Sequence, residues 1–440
     1  MSMAENTPAA AVQQSEAKPP RGAGPMRKRE AKLALGMLLP TALIIILVVL
    51  GPLLANFWIS VKPVELADLR APTALVTERL RGDADAVGDV VELQYRIRNS
   101  SPERPVIEAG FSDTIPLGLT VTALDQRCTL DGRNLTCALG DLEGGFRERF
   151  ELEAEVTQAF LDAPSDVRDT DPLVTGSGVN VLTSLDFTAE NFQRVFSASE
   201  FWSVLRVTIY YTVFSTAGAL VVGLFAAQLL NTAFKGRGIL RGLLLFPYVA
   251  PVIAVAFTWL ILLDPFSGTI NAMLVEMGLI GAPINFFGTR EVDVTILGLT
   301  FQFPVALSTV IAFEAWRYFP LSFLFILAAM QAVPTDMYEA AEIDGASPLQ
   351  QFWYLSLPQL IGILSVLFLL RFIWTFNKFD DIFLLTGGAA GTRTLTVQVY
   401  EQGFALSNLG AGAAVAVVVF FVLLAFALVF FRFSPKEGGA

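Results

Sequence analysis

Two sets of residues in apolar surroundings carry side chains that could do chemistry. Glu314, Arg317, Tyr318 and Leu321 stand at i, i+3, i+4 and i+7, and Arg371, Trp374, Thr375 and Lys378 repeat that spacing further on. Steps of three and four residues put each set along one helix face. Ionisable groups within an apolar helix face a bundle interior or an aqueous path, because exposing them to lipid is costly. The chemistry on offer is recognition of a polar solute. Tyr318 and Trp374 can stack on the C–H faces of a sugar while charged and hydroxyl groups direct hydrogen bonds to its oxygens. The plainer reading is that Glu314 or another acid pairs with Arg317 or Arg371 to hold helices together. For any single charge the two readings are equal; the stripes as sets favour a path. Bond-making chemistry is absent from the pattern. The chain has no histidine, no Gly-x-x-x-x-Gly-Lys-Ser/Thr phosphate loop and no Gly-x-Ser-x-Gly elbow, so no catalytic residue and no nucleotide site are expected. Asp380 and Asp381 are adjacent, and neighbours on a helix do not face each other. Two cysteines without histidine cannot complete a zinc shell, so no metal is expected.

The elements that would position these stripes follow from composition. A mean hydropathy of +0.57 with 54% hydrophobic residues points to a multi-span membrane protein. Six runs are long enough to cross a bilayer: Leu33 to Ser60, Phe201 to Leu230, Leu240 to Leu263, Val294 to Ala332, Pro358 to Leu385 and Gly410 to Phe431. The fourth is overlong and should include an interfacial piece. The first exceeds a signal-peptide core and has no cleavage pattern after it, so it reads as a retained anchor. Arg27, Lys28, Arg29 and Lys32 precede it, and Lys235, Arg237 and Arg241 fill the second connection, which places both on the cytoplasmic side. Counting spans onward puts the C-terminal tail, 432–440 with Arg432 and Lys436, on that side as well. Residues 1–32 form a cytoplasmic tail whose first 25, rich in Ala, Pro, Gln and Glu, read as disordered.

Between the first two spans lies a soluble segment, residues 63–183, expected outside. It holds 22 acidic and 11 basic residues, so its excess equals the net charge of −11 of the whole chain and the remainder is balanced. Val91 to Arg98 alternates apolar and polar residues strictly, as do Phe150, Leu152, Ala154 and Val156 against their neighbours, which predicts half-buried strands. Cys128 and Cys137 both fall here, separated by an Asp131-Gly132 turn signal, and are a disulfide candidate; two free thiols are the alternative. The order Val87-Gly88-Asp89, Tyr95 to Asn99, Asp113 to Leu119 and Cys137 to Leu142 resembles an immunoglobulin-like repeat of bacterial surface proteins. That resemblance implies an antiparallel β-sandwich, which dictates no chemistry by itself.

A polar island, Tyr338-Glu339-Ala340-Ala341-Glu342-Ile343-Asp344-Gly345-Ala346, interrupts the apolar runs. Thr335 can cap a short helix that Gly345 ends in a left-handed conformation. Ser347-Pro348-Leu349-Gln350 then reads as a second helix start with a capping box. Two short helices should meet at a glycine corner within residues 335–357. The island resembles the EAA loop by which permease subunits of ABC importers dock onto their ATPase, which would make Glu339, Ala340, Ala341, Asp344, Gly345 and Ala346 coupling residues.

The resemblance widens along the chain. Leu38-Leu39-Pro40, Asn191-Phe192, Lys235 to Gly238, Phe246 to Pro251, Gly268 to Asn271, Trp316 to Pro320, the Glu339 island and Phe376 to Gly388 appear in the order expected of carbohydrate-uptake ABC permeases. Together they cover residues 185–431 and the first span, most like the larger membrane subunit of maltose importers, with Ala389 where a proline is usual. This resemblance implies a six-helix α-helical permease subunit in a bacterial or archaeal cytoplasmic membrane, with sugar-site positions at the stripes. It also implies ABC ATPase subunits that bind ATP and Mg, a second permease subunit, and an extracytoplasmic solute-binding protein. Nucleic acid has no place in it. Polyols, glycerol phosphate or amino acids are the alternative solutes, and a membrane-anchored receptor is the rival of another class.

Overall fold

Backbone inside lipid must satisfy its own hydrogen bonds, so an apolar run folds as helix, whereas an alternating run outside can share them between strands. The computed structural model, which describes residues 25–164, 167, 171–197, 199–296 and 298–433, divides in that way. Most of the tail expected over residues 1–25 lies outside the described residues, and so does Lys436. The chain forms two units, Met1–Ala55 and Asn56–Ala440. Helix begins at Pro25, ahead of the Leu33 expected from hydropathy: α1 (Pro25–Ile44) passes through a widened turn at Ile45–Leu50 into α2 (Gly51–Ser60). The end of the tail expected over 1–32 is therefore helical.

In the second unit the segment expected outside, called the outer segment, holds eight strands: β1 (Ala74–Arg81), β2 (Val90–Asn99), β3 (Val106–Thr114), β4 (Leu119–Val121), β5 (Cys128–Asp131), β6 (Asn134–Leu142), β7 (Arg147–Val156) and β8 (Leu173–Ser177). They make two antiparallel four-stranded sheets, ordered β1-β2-β7-β4 and β5-β6-β3-β8. The alternation read in β2 and β7 sends Leu93, Tyr95, Ile97, Phe150 and Leu152 into one cluster with Phe111 and Leu135 of the other sheet. Tyr95 stacks on Phe150 at 5.3 Å and donates its hydroxyl to Asp113 at 2.6 Å. Burial, reinforced by that carboxylate, pushes the phenol far above its ordinary range.

The remaining elements are helical: α3 (Gln158–Asp162), α4 (Glu190–Ser197), α5 (Phe201–Asn231), α6 (Arg237–Leu244), α7 (Phe246–Val249), α8 (Val252–Leu262) and α9 (Thr269–Glu276). A hairpin follows, β9 (Val292–Ile296) with β10 (Leu299–Phe303), and then α10 (Val305–Gln331), α11 (Thr335–Ile343), α12 (Pro348–Gln351), α13 (Leu357–Phe376), α14 (Asp380–Thr386), α15 (Leu395–Tyr400) and α16 (Leu409–Phe433). Among the described residues five stretches are long and apolar enough to cross a membrane: Lys32–Ser60, Phe201–Asn231, Val305–Gln331, Pro348–Phe376 and Leu409–Phe433. A sixth exists only if α6–α7 and α8, bent by 92°, count as one span. The bend falls at Ala250–Pro251, where the proline ring keeps Ala250 extended and breaks the ladder.

Two expected spans change their limits. The front of the fourth is the β9–β10 hairpin, with helix only from Val305. The fifth starts at Pro348, because α12 continues through Phe352–Ser356 into α13, and it stops at Phe376, leaving α14 separate. Inside the bundle α5 and α10 meet through small residues. A Cβ added at Gly223 would stand 2.7 Å from the Ser322 Cβ, so only glycine allows this approach. Beside the bundle, Asn191 of α4 donates to the carbonyls of Ser60 and Lys62 at 2.9 and 2.8 Å, and the Gly410 amide donates to Val64 at 2.9 Å. These bonds fix where the outer segment leaves the helical core.

Candidate functional site

Glu314 lies on the buried face of α10, one turn before Arg317 and Tyr318. Facing it on α13, Arg371 donates to Glu314 Oε1 at 3.0 Å and Thr375 donates to the same oxygen at 3.2 Å. Glu314 and Arg371 are essentially closed to solvent. The Arg371 guanidinium also lies 4.4 Å from the centre of the Tyr318 ring, with the Lys378 ammonium at 4.7 Å and the Arg317 guanidinium at 5.6 Å, so one phenol ring serves three cations. The break between α13 and α14 turns the chain so that Asp381, fully buried, points back into the cluster. Its carboxylate sits 3.9 Å from Arg317 Nε and 3.6 Å from Lys378 Nζ. Arg317 further donates to the Ala250 carbonyl at 3.2 Å, a group freed by the Pro251 bend. With Asp380 3.5 Å from Lys378, three carboxylates face three cations.

Hydrogen-bonding capacity remains in this cluster. Among the described residues Glu314 Oε2, Arg317 Nη1, Arg371 Nε and both Asp381 oxygens have no hydrogen-bond partner, the Asp381 contacts being ion pairs at longer range. The structure thus brings together Glu314, Arg317, Tyr318, Arg371, Thr375 and Lys378. Leu321 is half-buried one turn beyond Tyr318. Trp374, between Arg371 and Thr375 in sequence, is 48% exposed and has no ring partner among the described residues. Three contributors escaped the sequence reading. Asp381 was set aside as half of an adjacent pair, although its i, i+3 spacing from Lys378 was visible. Tyr248, edge-on to Tyr318 at 5.9 Å, comes from a short helix without charge, and the buried Tyr211 from α5, whose one charge, Arg206, does not point to it.

The polar island forms the expected corner with one change. Thr335 is the first residue of α11 and caps nothing; Pro334 precedes it and no side chain bonds the helix start. Asp344 ends the helix and Gly345 takes φ +80°, the left-handed conformation that a Cβ would strain. Ser347 and Gln350 form the capping box, with the Ser347 amide donating to Gln350 Oε1 at 2.7 Å. The helix that this box starts is long, running through to Phe376, and not a second short one. Glu339, Ala340, Asp344 and Gly345 are exposed and Ala341 and Ala346 half-exposed. Around them Ile343, Leu349 and Tyr354 are bare, while the Tyr338 hydroxyl, 3.0 Å from Ser356, ties the corner to the long helix. In the outer segment Cys128 and Cys137 face each other across β5 and β6 and are joined by a disulfide.

Apolar spanning helices around a buried ionic cluster, with an exposed corner and no phosphate loop, define a polytopic membrane subunit. Residues 219–436 match the family described as binding-protein-dependent transport system inner membrane component. The chain is 34% identical over 244 residues to the trehalose/maltose transport system permease protein MalF of Thermococcus litoralis, covering 55% of this chain and 77% of that protein. It is 33% identical over 235 residues to the inner membrane ABC transporter permease protein YcjO of Escherichia coli (53% and 75%), and 31% identical over 251 residues to the sn-glycerol-3-phosphate transport system permease protein UgpA of Agrobacterium fabrum (56% and 80%). In fold it is similar to the bacterial alginate ABC transporter solved with an alginate pentasaccharide-bound periplasmic protein. That match has a TM-score of 0.50 at 19% identity, over 57% of this chain and 85% of the other. The chain belongs to this family of binding-protein-dependent inner-membrane components, the permease subunits of ABC importers, which are not themselves enzymes.

Proposed function

We propose that the chain supplies half of the path of an ATP-driven importer for a sugar or oligosaccharide, working by alternating access. The observation that carries the reading is the cluster around Tyr318. It pairs aromatic rings with polar atoms that still have hydrogen-bonding capacity, and the Trp374 indole, on the same helix as Arg371, is exposed. A sugar needs that combination, apolar faces to stack and hydroxyls to bond. Relatives named for trehalose/maltose support the sugar class.

The expected partners are two ATPase subunits that hold ATP and Mg, a second permease subunit completing the path, and a solute-binding protein outside. The exposed corner at Glu339 to Ala346, ringed by bare apolar side chains, suits a docking surface for an ATPase, whose closure would turn the helical core. The termini are then cytoplasmic. The two four-stranded sheets support reading the segment as an immunoglobulin-like sandwich, which beside the path entrance could reach a docked binding protein.

Uptake by the reconstituted complex, with the sugar chosen by thermal shift of the partner binding protein, tests the reading. Trp374→Ala is expected to lower uptake roughly fivefold to tenfold, as loss of one stacking contact implies, with the complex assembled. Gly345→Val should abolish uptake and loosen the ATPase while insertion stays normal. Normal uptake with Trp374→Ala, or a binding protein that answers only to amino acids, would overturn the sugar path.

A further inference from the structure

The outer segment is acidic as a whole, yet on β2 and β7 one half of one sheet face is basic. On the outward face of β1-β2-β7-β4, Arg98 stands directly opposite Arg147 and Arg96 directly opposite Arg149. Like charges in cross-strand register are destabilising, so four exposed arginines in two stacked pairs work against folding unless something anionic meets them. No described carboxylate pairs with them, although Glu148 and Asp171 lie beside the face. Among the described residues Arg98, Arg147 and Arg149 form no ion pair, and the Arg96 guanidinium reaches only the Gln94 side chain, at 3.4 Å. Glu103 and Glu143, in the loops beside these strand ends, are not paired with them either. Further along the same face the register places Glu92 opposite Glu153, and Glu155 follows. The face is therefore polarised, basic at one end and acidic at the other.

The basic end is the end attached to the membrane core. Trp58 and Phe187, edge to face at 5.3 Å with the Lys62 ammonium over both rings, mark an aromatic interface at the close of α2. From there the chain is held at the start of α16 by the Val64 carbonyl and reaches Asp68, whose carboxylate lies 3.9 Å from Arg104 in the loop that follows β2. The Thr73 amide donates to Ser100 at 2.9 Å in that same loop. Arg98 and Arg147 thus sit at the foot of the domain, with Arg96 and Arg149 roughly 7 Å higher, one two-residue step along the strands.

We propose that this arginine face is a lipid-docking surface, seating the outer domain on anionic phospholipid headgroups of the outer leaflet. Guanidinium forks pair bidentately with phosphate, and a dense headgroup layer can neutralise both like-charge pairs at once. The acidic end is then held away from the membrane, free for a soluble partner. The inference does not depend on which solute is carried.

The full chain tests it in nanodiscs of phosphatidylcholine alone and with phosphatidylglycerol added. An uncharged dye on Thr77→Cys, beside Arg96 in register, reports energy transfer to a headgroup-labelled lipid. Transfer should rise roughly twofold or more with phosphatidylglycerol and fall back in high salt. The gain should vanish in the combined Arg96→Gln, Arg98→Gln, Arg147→Gln, Arg149→Gln variant, whose outer domain should melt no lower than the parent because repulsive pairs are gone. Equal transfer in both lipids, or a gain kept by the variant, overturns the proposal. So does a variant that loses affinity for loaded binding protein while the parent shows no lipid dependence, which would assign the face to an acidic protein.

Discussion

Arg371 in the membrane core and Arg127 in the outer domain each meet carboxylates at hydrogen-bonding distance, Glu314 at 3.0 Å and Glu148 and Asp125 at 2.9 and 3.1 Å. Distance alone would rank them together, but their surroundings separate them. The Arg371 pair is closed to solvent, whereas the Arg127 and Glu148 side chains are each about a third exposed. Removing one partner from a buried pair strands a charge where water cannot reach it, a loss of roughly 3–5 kcal/mol. An exposed pair is screened on both sides and is worth at most about 1 kcal/mol. Burial, not geometry, therefore decides which charges each region depends on. The core has few and relies on all of them, while the outer domain has many and relies on its apolar sheet interior.

The largest effect expected from this contrast is at Glu314. Glu314→Ala leaves the Arg371 guanidinium and the Thr375 hydroxyl without their acceptor and should cost roughly 3–5 kcal/mol of core stability. Combining Glu314→Leu with Arg371→Met removes both charges at similar volume and should restore most of that loss. Melting of the detergent-solubilised chain, followed by tryptophan fluorescence, measures both. A restored melt without restored uptake would give the pair to the solute path, and restoration of both would make it a brace between α10 and α13. A loss below about 1 kcal/mol in the single variant would mean that burial does not set the worth of this pair.

The same contrast explains what could be read from the sequence. The stripes on α10 and α13 were legible because helical periodicity projects spacing onto a face, and the strands β2 and β7 because alternation does so for sheets. The Gly345 corner and the capping box at Ser347 were local, set by the torsional freedom of glycine and the reach of a serine hydroxyl. The Asp381 contact with Arg317 was not legible, since Arg317 lies on another helix and is reached only because the chain breaks at Asn377–Phe379. Hydropathy also hid the β9–β10 hairpin. Val292, Val294, Leu299, Phe301 and Phe303 raise the average of a span, yet their alternation with Asp293, Thr295, Thr300 and Gln302 describes paired strands. The bend after Ala250 needed the two prolines, Pro247 and Pro251, to be weighed above the apolar residues around them.

In the outer domain the disulfide sharpens the comparison at intermediate size. Cys128 and Cys137 enclose a short loop, sequence separation 9, so the chain-entropy account gives about 2–3 kcal/mol. Cys128→Ser with Cys137→Ser should lower the melting of the outer domain and leave the helical core and its ATPase association unchanged. Differential scanning of the intact chain with and without reductant would show this as movement of one transition only. Movement of both would mean that the two regions fold as one cooperative unit and would break the comparison.

The smallest effect belongs to the exposed ion triad. The Arg127 side chain, bonding to Asp125 through its Nε and Nη2 and through the residue's own amide, holds the Asp125 carboxyl below its ordinary value. Because the folded group titrates below the unfolded value of about 4, its contribution is complete above that pH and is lost as pH falls through the lowered value. Asp125 is an exposed partner, so the contribution is at most about 1 kcal/mol. Asp125→Asn should therefore fall slightly behind the parent in outer-domain melting at pH 6, and the gap should narrow as pH falls below the ordinary carboxyl range. Arg127→Ala should flatten the same difference. Salt decides the cause: in about 1 M salt, where screening acts within roughly 3 Å, an ionic gap between parent and variant closes, and a gap that stays open belongs to the hydrogen bonds Asp125 accepts from the Arg127 amide and side chain.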